Sequence, residues 1–283
     1  MILICIGLAV HQLEAMIVRF YGKKYKKGGM FFNAVICLFA MIYFFLSDEG
    51  TLEFPKGVCL YGALNSIMYA TGFYSAYAAF KLGSFGLSRL FTSFGVIVPT
   101  FYGIVFLKEP TTLFTYIAFV LILLSLFLMN YQGKESSSQK ISFRWILSIL
   151  FIVISNAAIA IIGRVQYGVY GNTYKNEFLI ISLAGATIAL LIFGFIFERD
   201  SFKVEIKHCL VFGALAGIFN GIGNLLTLIT YEYLPISFIS PVKSGAGIVI
   251  SFLVSIILYK ESFTKRQLIS VGIGALAVVL MNF

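Results

Sequence analysis

The stretch GVIVPTFYGIVFLKEPTT, residues 95–112, decides the fold because it returns as GIVISFLVSIILYKESFT, residues 247–264. Residues 81–131 fall on 233–283 at a constant offset of 152, without a gap, and 12 of 51 positions are identical. Ser88 meets Ser240, Gly95 meets Gly247, Ile104 meets Ile256, and Thr112 meets Thr264. Apolar segments match one another easily by chance. The polar coincidences carry more weight: Lys108-Glu109 meets Lys260-Glu261, and Leu128-Met129-Asn130 meets Leu280-Met281-Asn282. Self-similarity at a fixed offset is read before any single element. Here it implies two copies of one unit.

The medium these copies occupy follows from composition. The chain is 60% hydrophobic and 12% charged, against about 25% charged residues in a soluble domain. Asp48 and Asp200, the only aspartates, sit between apolar runs. Those runs approach the ~20 residues that cross a bilayer's hydrocarbon layer, and they lack the alternation of a membrane strand. The fold class is an all-α polytopic membrane protein. Met1–Val18 is apolar and Arg19, Lys23 and Lys24 follow it, the reverse of a signal peptide, so it is expected to stay as the first helix. Cys5, Cys37, Cys59 and Cys209 lack metal-ligand spacing and read as packing residues.

Apolar runs bounded by charge, Gly, Pro and Ser predict ten transmembrane helices, at about 1–20, 29–47, 56–80, 83–107, 111–131, 145–166, 177–197, 208–231, 235–259 and 264–283. Residues 1–131 form the first repeat, the polar, Ser-rich 132–144 is a linker, and 145–283 form the second repeat. Five helices per copy is odd, so the second copy enters the membrane from the opposite side. Such inverted repeats allow a midplane site to be exposed to each side in turn. Of the 21 Lys and Arg, 16 lie on the face of the loop between the first two helices, which the positive-inside rule makes cytoplasmic. Both termini are then expected outside. The net charge of +9 fits attraction to anionic lipid rather than nucleic acid.

Ten helices, two five-helix halves and a Lys-Glu pair after the fourth helix of each half resemble the drug/metabolite transporter superfamily, in its ten-helix EamA-like branch. The resemblance covers essentially the whole chain. It implies secondary transport, often export, of amino acids, other metabolites or drugs, with both termini commonly drawn inside. Glu14 in helix 1 is also similar to the first-helix carboxylate of the small multidrug resistance proteins, which carry protons and organic cations.

Charged groups within the apolar runs need a reason, since each costs at least ~2.5–3.5 kcal/mol to insert at the centre of a membrane helix. Glu14 in helix 1 and Arg89 in helix 4 share a depth from the same face, so they either pair or snorkel separately. His11, one turn from Glu14, is either a proton relay with it or a structural histidine. Glu14, His11 and Arg89 are therefore the candidate ion-coupling group. Lys243 sits inside helix 9 with no carboxylate at its depth, flanking a stripe of Ser240, Ser244, Gly247 and Ser251 beside Pro241. That arrangement suits a carboxylate or phosphate receptor, and equally a small-residue packing seam. Asn156, Asn220, Asn224, Asn65, Tyr69, Tyr74 and Tyr77 add neutral polar or aromatic groups. Interhelical hydrogen bonding is the default role of the asparagines.

The function expected is secondary active transport of a small metabolite, best an amino acid or related carboxylate, coupled to protons or exchange. Lys243, Ser240, Ser244, Asn156, Asn220, Asn224, Tyr69 and Tyr77 would bind it. The alternative is an organic-cation or multidrug carrier using Glu14 as the shared proton and substrate site. An intramembrane enzyme would need a nucleophile or metal set, yet the chain has two histidines, no helical Asp, no Gly-x-Ser-x-Gly and no His-Glu-x-x-His. No filter-like element or charged ring marks a channel. No phosphate-cradling loop points to ATP. Neither metal nor cofactor is expected, and the partners are a small-molecule substrate and the lipid bilayer. A monomer suffices, in what reads as the cytoplasmic membrane of a prokaryote.

Overall fold

The computed structural model describes residues 2–25, 29–47, 50, 52–82, 94–130, 142–199, 202–259 and 264–280. Among them are ten α-helices: α1 (Ile2–Tyr25), α2 (Gly29–Ser47), α3 (Lys56–Leu82), α4 (Ile97–Val105), α5 (Leu113–Asn130), α6 (Phe143–Tyr170), α7 (Lys175–Phe197), α8 (Phe202–Thr230), α9 (Ile236–Tyr259) and α10 (Lys265–Leu280). A 3₁₀ turn, Phe94–Val96, leads into α4. Five stretches are long and apolar enough to cross a membrane: Leu3–Gly22, Gly29–Ser47, Phe143–Tyr170, Lys175–Phe197 and His208–Thr230. The other five expected spans do not meet that measure among the described residues. In α3, Tyr61, Asn65, Ser66, Tyr69 and Ser75 interrupt the apolar surface. The described α4 and α10 are only 9 and 16 residues long.

The helix ends are chemically marked. Pro55 precedes α3, where a missing N–H costs nothing. The Ser142 hydroxyl accepts from the Trp145 N–H at 3.2 Å to start α6. Thr112 and Thr264, matched in the repeat, do one job in both copies. The Thr112 hydroxyl accepts from the Thr115 N–H at 3.3 Å, and that of Thr264 accepts from the Gln267 N–H at 3.4 Å. In the second case the Gln267 carbonyl also accepts from the Thr264 N–H at 2.9 Å, completing a capping box.

The helices gather into two compact units that cut across the sequence halves: Met1–Tyr77 with Ala158–Tyr233, and Ala78–Ala157 with Leu234–Phe283. In the first unit α2 packs on α7 and α8, and α1 packs on α8. Gly213, Gly217 and Gly221 recur every turn of α8 and admit α2: a Cβ at Gly217 would meet the Ile36 carbonyl at 2.6 Å. Such small-residue seams let membrane helices approach closely, where dispersion rather than water exclusion holds them together. The Tyr21 ring stacks on Phe32 at 3.9 Å between centroids, beside buried Ile36, Cys209 and Ala216.

In the second unit α5 packs along α10, and α9 packs on α4, α5 and α10. The buried face of α10 is Ser270, Gly274 and Ala277. Subtracting the repeat offset of 152 gives 118, 122 and 125, and Ala118, Ile122 and Ser125 are all fully buried on α5. The Ser125 hydroxyl donates to the Ser270 carbonyl, and the Ser270 hydroxyl to the Ser125 carbonyl, each at 2.7 Å. Sequence register and packing register therefore coincide here.

Three buried carboxylates sit at helix ends rather than in mid-span. Glu109 accepts from the backbone N–H groups of Ile236 at 3.0 Å and Ser237 at 2.9 Å, the first residues of α9. Glu198 accepts from the Met30 N–H at 2.9 Å at the start of α2, and Glu177 from the Glu53 N–H at 3.4 Å. A helix N-terminus has unpaired donors and a partial positive charge, and an anion answers both. Gly103 leaves room for this at α4, where a Cβ would collide with the Glu109 carboxylate. Glu109→Leu leaves two buried N–H groups unanswered, each costing about 1–3 kcal/mol. The unfolding midpoint in detergent is expected to drop clearly, and Glu109→Gln, which keeps one acceptor oxygen, to drop less. Equal midpoints for wild type and Glu109→Leu would contradict the cap.

Candidate functional site

Within the first unit, three helices bring their polar residues to one place. From α1 come His11 and Glu14, three residues apart and so on one face. Asn220 and Asn224, four apart, come from α8, and Tyr69 from α3. Glu14 Oε1 accepts from Asn220 Nδ2 at 2.9 Å, and Glu14 Oε2 lies 3.2 Å from His11 Nδ1. Asn224 Nδ2 donates to Asn220 Oδ1 at 2.9 Å, and the Tyr69 phenol lies close by. The result is a chain of polar groups, imidazole to carboxylate to two amides, with a phenol beside it. It is incompletely buried: the His11 and Glu14 side chains are 25% and 18% exposed.

Gly223 makes the imidazole's seat. A Cβ there would meet His11 Cε1, Nε2 and Nδ1 at 2.6, 2.7 and 2.8 Å. Cys37, fully within α2, lies in electrostatic reach of both Glu14 and Tyr69. Further along, the Arg164 guanidinium lies over Tyr167 at 5.6 Å and Tyr231 at 6.0 Å. It donates to the Tyr231 carbonyl at 3.4 Å, while the Tyr231 hydroxyl donates to the Ala160 carbonyl at 3.3 Å. Among the described residues no group of three or more His, Cys, Asp or Glu could hold a metal ion.

The structure therefore joins Glu14 and His11 to Asn220, Asn224 and Tyr69, which sequence reasoning had divided between ion coupling and substrate binding. Tyr77 is half buried two turns beyond Tyr69 on α3. Lys243, Ser240 and Ser244 are half buried on α9 in the second unit, and Asn156 is exposed on α6. Arg89 lies outside the described residues, so its expected pairing with Glu14 does too. The seat at Gly223 and the capping role of the three glutamates went unnoticed in the sequence. For the glutamates a signal existed: each stands at the edge of an apolar run, next to the start or end of a helix.

Membrane-length helices that enclose a carboxylate, an imidazole and amides in their apolar spans define a multi-pass membrane transporter, and the comparisons agree. The family model described as sugar transport protein matches residues 11–282. The chain belongs to this family, which is part of the drug/metabolite transporter superfamily. No curated protein matches it. A solved crystal structure shares its fold, with a TM-score of 0.77 at 12% identity, covering 99% of this chain and 98% of the other.

Gly223→Ala tests the seat of His11. The added methyl overlaps the ring and must push it away from α8. In a His208→Asn background, modification of His11 by diethyl pyrocarbonate is expected to quicken several-fold. An unchanged rate would contradict the close approach.

Proposed function

We propose that the chain carries a neutral polyhydroxylated solute, a sugar, across the membrane, and that Glu14, His11, Asn220, Asn224 and Tyr69 contact it. The observation that carries this reading is the hydrogen-bonded network of His11, Glu14, Asn220 and Asn224, with Tyr69 beside it. A sugar hydroxyl both donates and accepts, and so do a carboxylate next to an imidazole, two amides and a phenol. The Tyr69 ring stacks on Phe73 at 6.4 Å between centroids, which adds an apolar face of the kind a sugar ring's C–H side covers. The description of the family adds the substrate class.

This reading replaces the carboxylate first expected from Lys243. An anion would be repelled by an ionised Glu14, whereas a sugar brings no charge. The organic-cation alternative draws no support from the family. Coupling to protons fits Glu14: a protonated carboxyl can donate where the carboxylate only accepts, so each protonation state presents a different partner to a hydroxyl. Alternating access by inverted repeats is supported by two observations. Each compact unit draws on both sequence halves, and the buried faces of α5 and α10 share one register. Termini outside, as the Lys and Arg distribution has it, completes the proposal.

The test is counterflow of labelled aldohexoses into vesicles loaded with unlabelled sugar. Wild type is expected to accumulate at least one of them, and Glu14→Gln, which keeps the side chain's size, to fall at least about tenfold in rate. Counterflow of carboxylates or tetraalkylammonium ions with none of any hexose would overturn the sugar reading.

A further inference from the structure

Two buried amides in the first unit keep an unanswered hydrogen-bonding group. Asn65 on α3 and Gln166 on α6 are each 1% exposed. Asn65 Nδ2 donates to the Ser182 hydroxyl at 3.1 Å, which in turn donates to the Phe178 carbonyl at 2.7 Å, so the orientation of the amide is fixed. Its Oδ1 is left without a partner among the described residues, and so is Gln166 Nε2. Leaving such a group buried and unpaired costs about 1–3 kcal/mol.

Their placement is not random. The start of α3 meets the end of α6: Gly57 lies against the Tyr170 hydroxyl, and the rings of Tyr61 and Tyr170 stand 6.4 Å apart, edge to face. Four residues inward along α3 from Tyr61 is Asn65, and four more is Tyr69. Four residues inward along α6 from Tyr170 is Gln166. Residues four apart share a helix face and lie about 6 Å apart along its axis. Each amide thus stands one turn inward from the aromatic pair on its own helix, and Tyr69, close to Asn224 of the Glu14 network, follows one turn further along α3.

One group is an acceptor and the other a donor. A hydroxyl has the complement of each, since it can donate to an acceptor such as Asn65 Oδ1 and accept from a donor such as Gln166 Nε2. We propose that Asn65 and Gln166 form a hydroxyl-binding subsite for the transported sugar, between the Tyr61–Tyr170 pair and the Glu14 network. This deepens the sugar-transport reading and rests on it. It also explains why the chain tolerates two half-satisfied amides where leucines would pack without cost.

The test uses full-length protein in detergent, with D-glucose, D-galactose and D-mannose and their monodeoxy analogues lacking the hydroxyl at carbon 2, 3, 4 or 6. Gln166→Met keeps length and volume but removes the donor. It is expected to weaken binding of the preferred hexose by about tenfold. It should weaken all its deoxy analogues alike except one, which binds wild type and variant equally because it already lacks the hydroxyl that Gln166 reads. A structural role alone would instead lower the unfolding midpoint and leave every sugar's ratio the same. Asn65→Asp, which retains the acceptor, should keep the preferred hexose ahead of the same deoxy analogue. Equal affinities for wild type and Gln166→Met across the set, or a uniform loss without an exceptional analogue, would overturn the subsite and leave the sugar-transport reading standing. Failure of wild type to bind any of the hexoses would overturn both.

Discussion

The contact on which the rest depends is the one between Glu14 and Asn220. A carboxylate about midway along a membrane helix must be given partners, and α8 supplies one. Asn220 donates to one oxygen, and Gly223 opens the room in which His11 stays beside the other. Everything about the α1–α8 face follows from that demand. Gly7 packs on Leu226 with no side chain between. Asn224 extends the bonding from Asn220 towards Tyr69 on α3. The His11 and Glu14 side chains stay partly exposed, so this chain of groups is not sealed inside the fold.

The other buried acids show the contrast that gives Glu14 its meaning. Glu109, Glu177 and Glu198 are at least as well buried, but each spends its charge on backbone N–H groups near a helix end. Their partners are fixed parts of the fold and leave little for a ligand. Lys108, just before Glu109, holds a left-handed backbone with φ of 51°, the turn by which the chain leaves α4 and presents that carboxylate to α9. The Lys-Glu pair that revealed the repeat is therefore, in its first copy, part of the scaffold. Glu14, only partly buried, instead bonds to the side chains of Asn220 and His11.

Much of the fold was legible because bilayer length imposes itself on composition. The second helix was expected at 29–47 and is found at Gly29–Ser47, because charges and glycines flank it sharply. The Thr pair in the repeat marked two helix starts. What a single sequence could not supply was partnership. The packing joins α1 to α8 and α5 to α10, across more than a hundred residues, and no local period records it. Depth matching drew attention to Arg89 as a partner for Glu14, because opposite charges are the obvious complement. Among the described residues its partners are an amide from the other half of the chain and the neighbouring histidine, and Arg89 lies outside them. Lys243 drew attention for a charge beside a small-residue stripe and Pro241, whereas the network on α1 and α8 is built mainly of neutral groups. Asn65 stood out in the sequence only as one of several neutral polar groups and Gln166 not at all, since an unanswered amide is visible only once its surroundings are known.

The central claim is that Glu14 and Asn220 act on the solute as one arrangement rather than as two separate contacts. A double-mutant cycle on hexose affinity, with Glu14→Gln, Asn220→Ala and the two combined, measures this most directly. The account predicts that each single change weakens binding strongly and that the double variant binds little worse than the weaker single, since either change dismantles the same arrangement. Losses that simply add, or an Asn220→Ala variant with wild-type affinity, would contradict it.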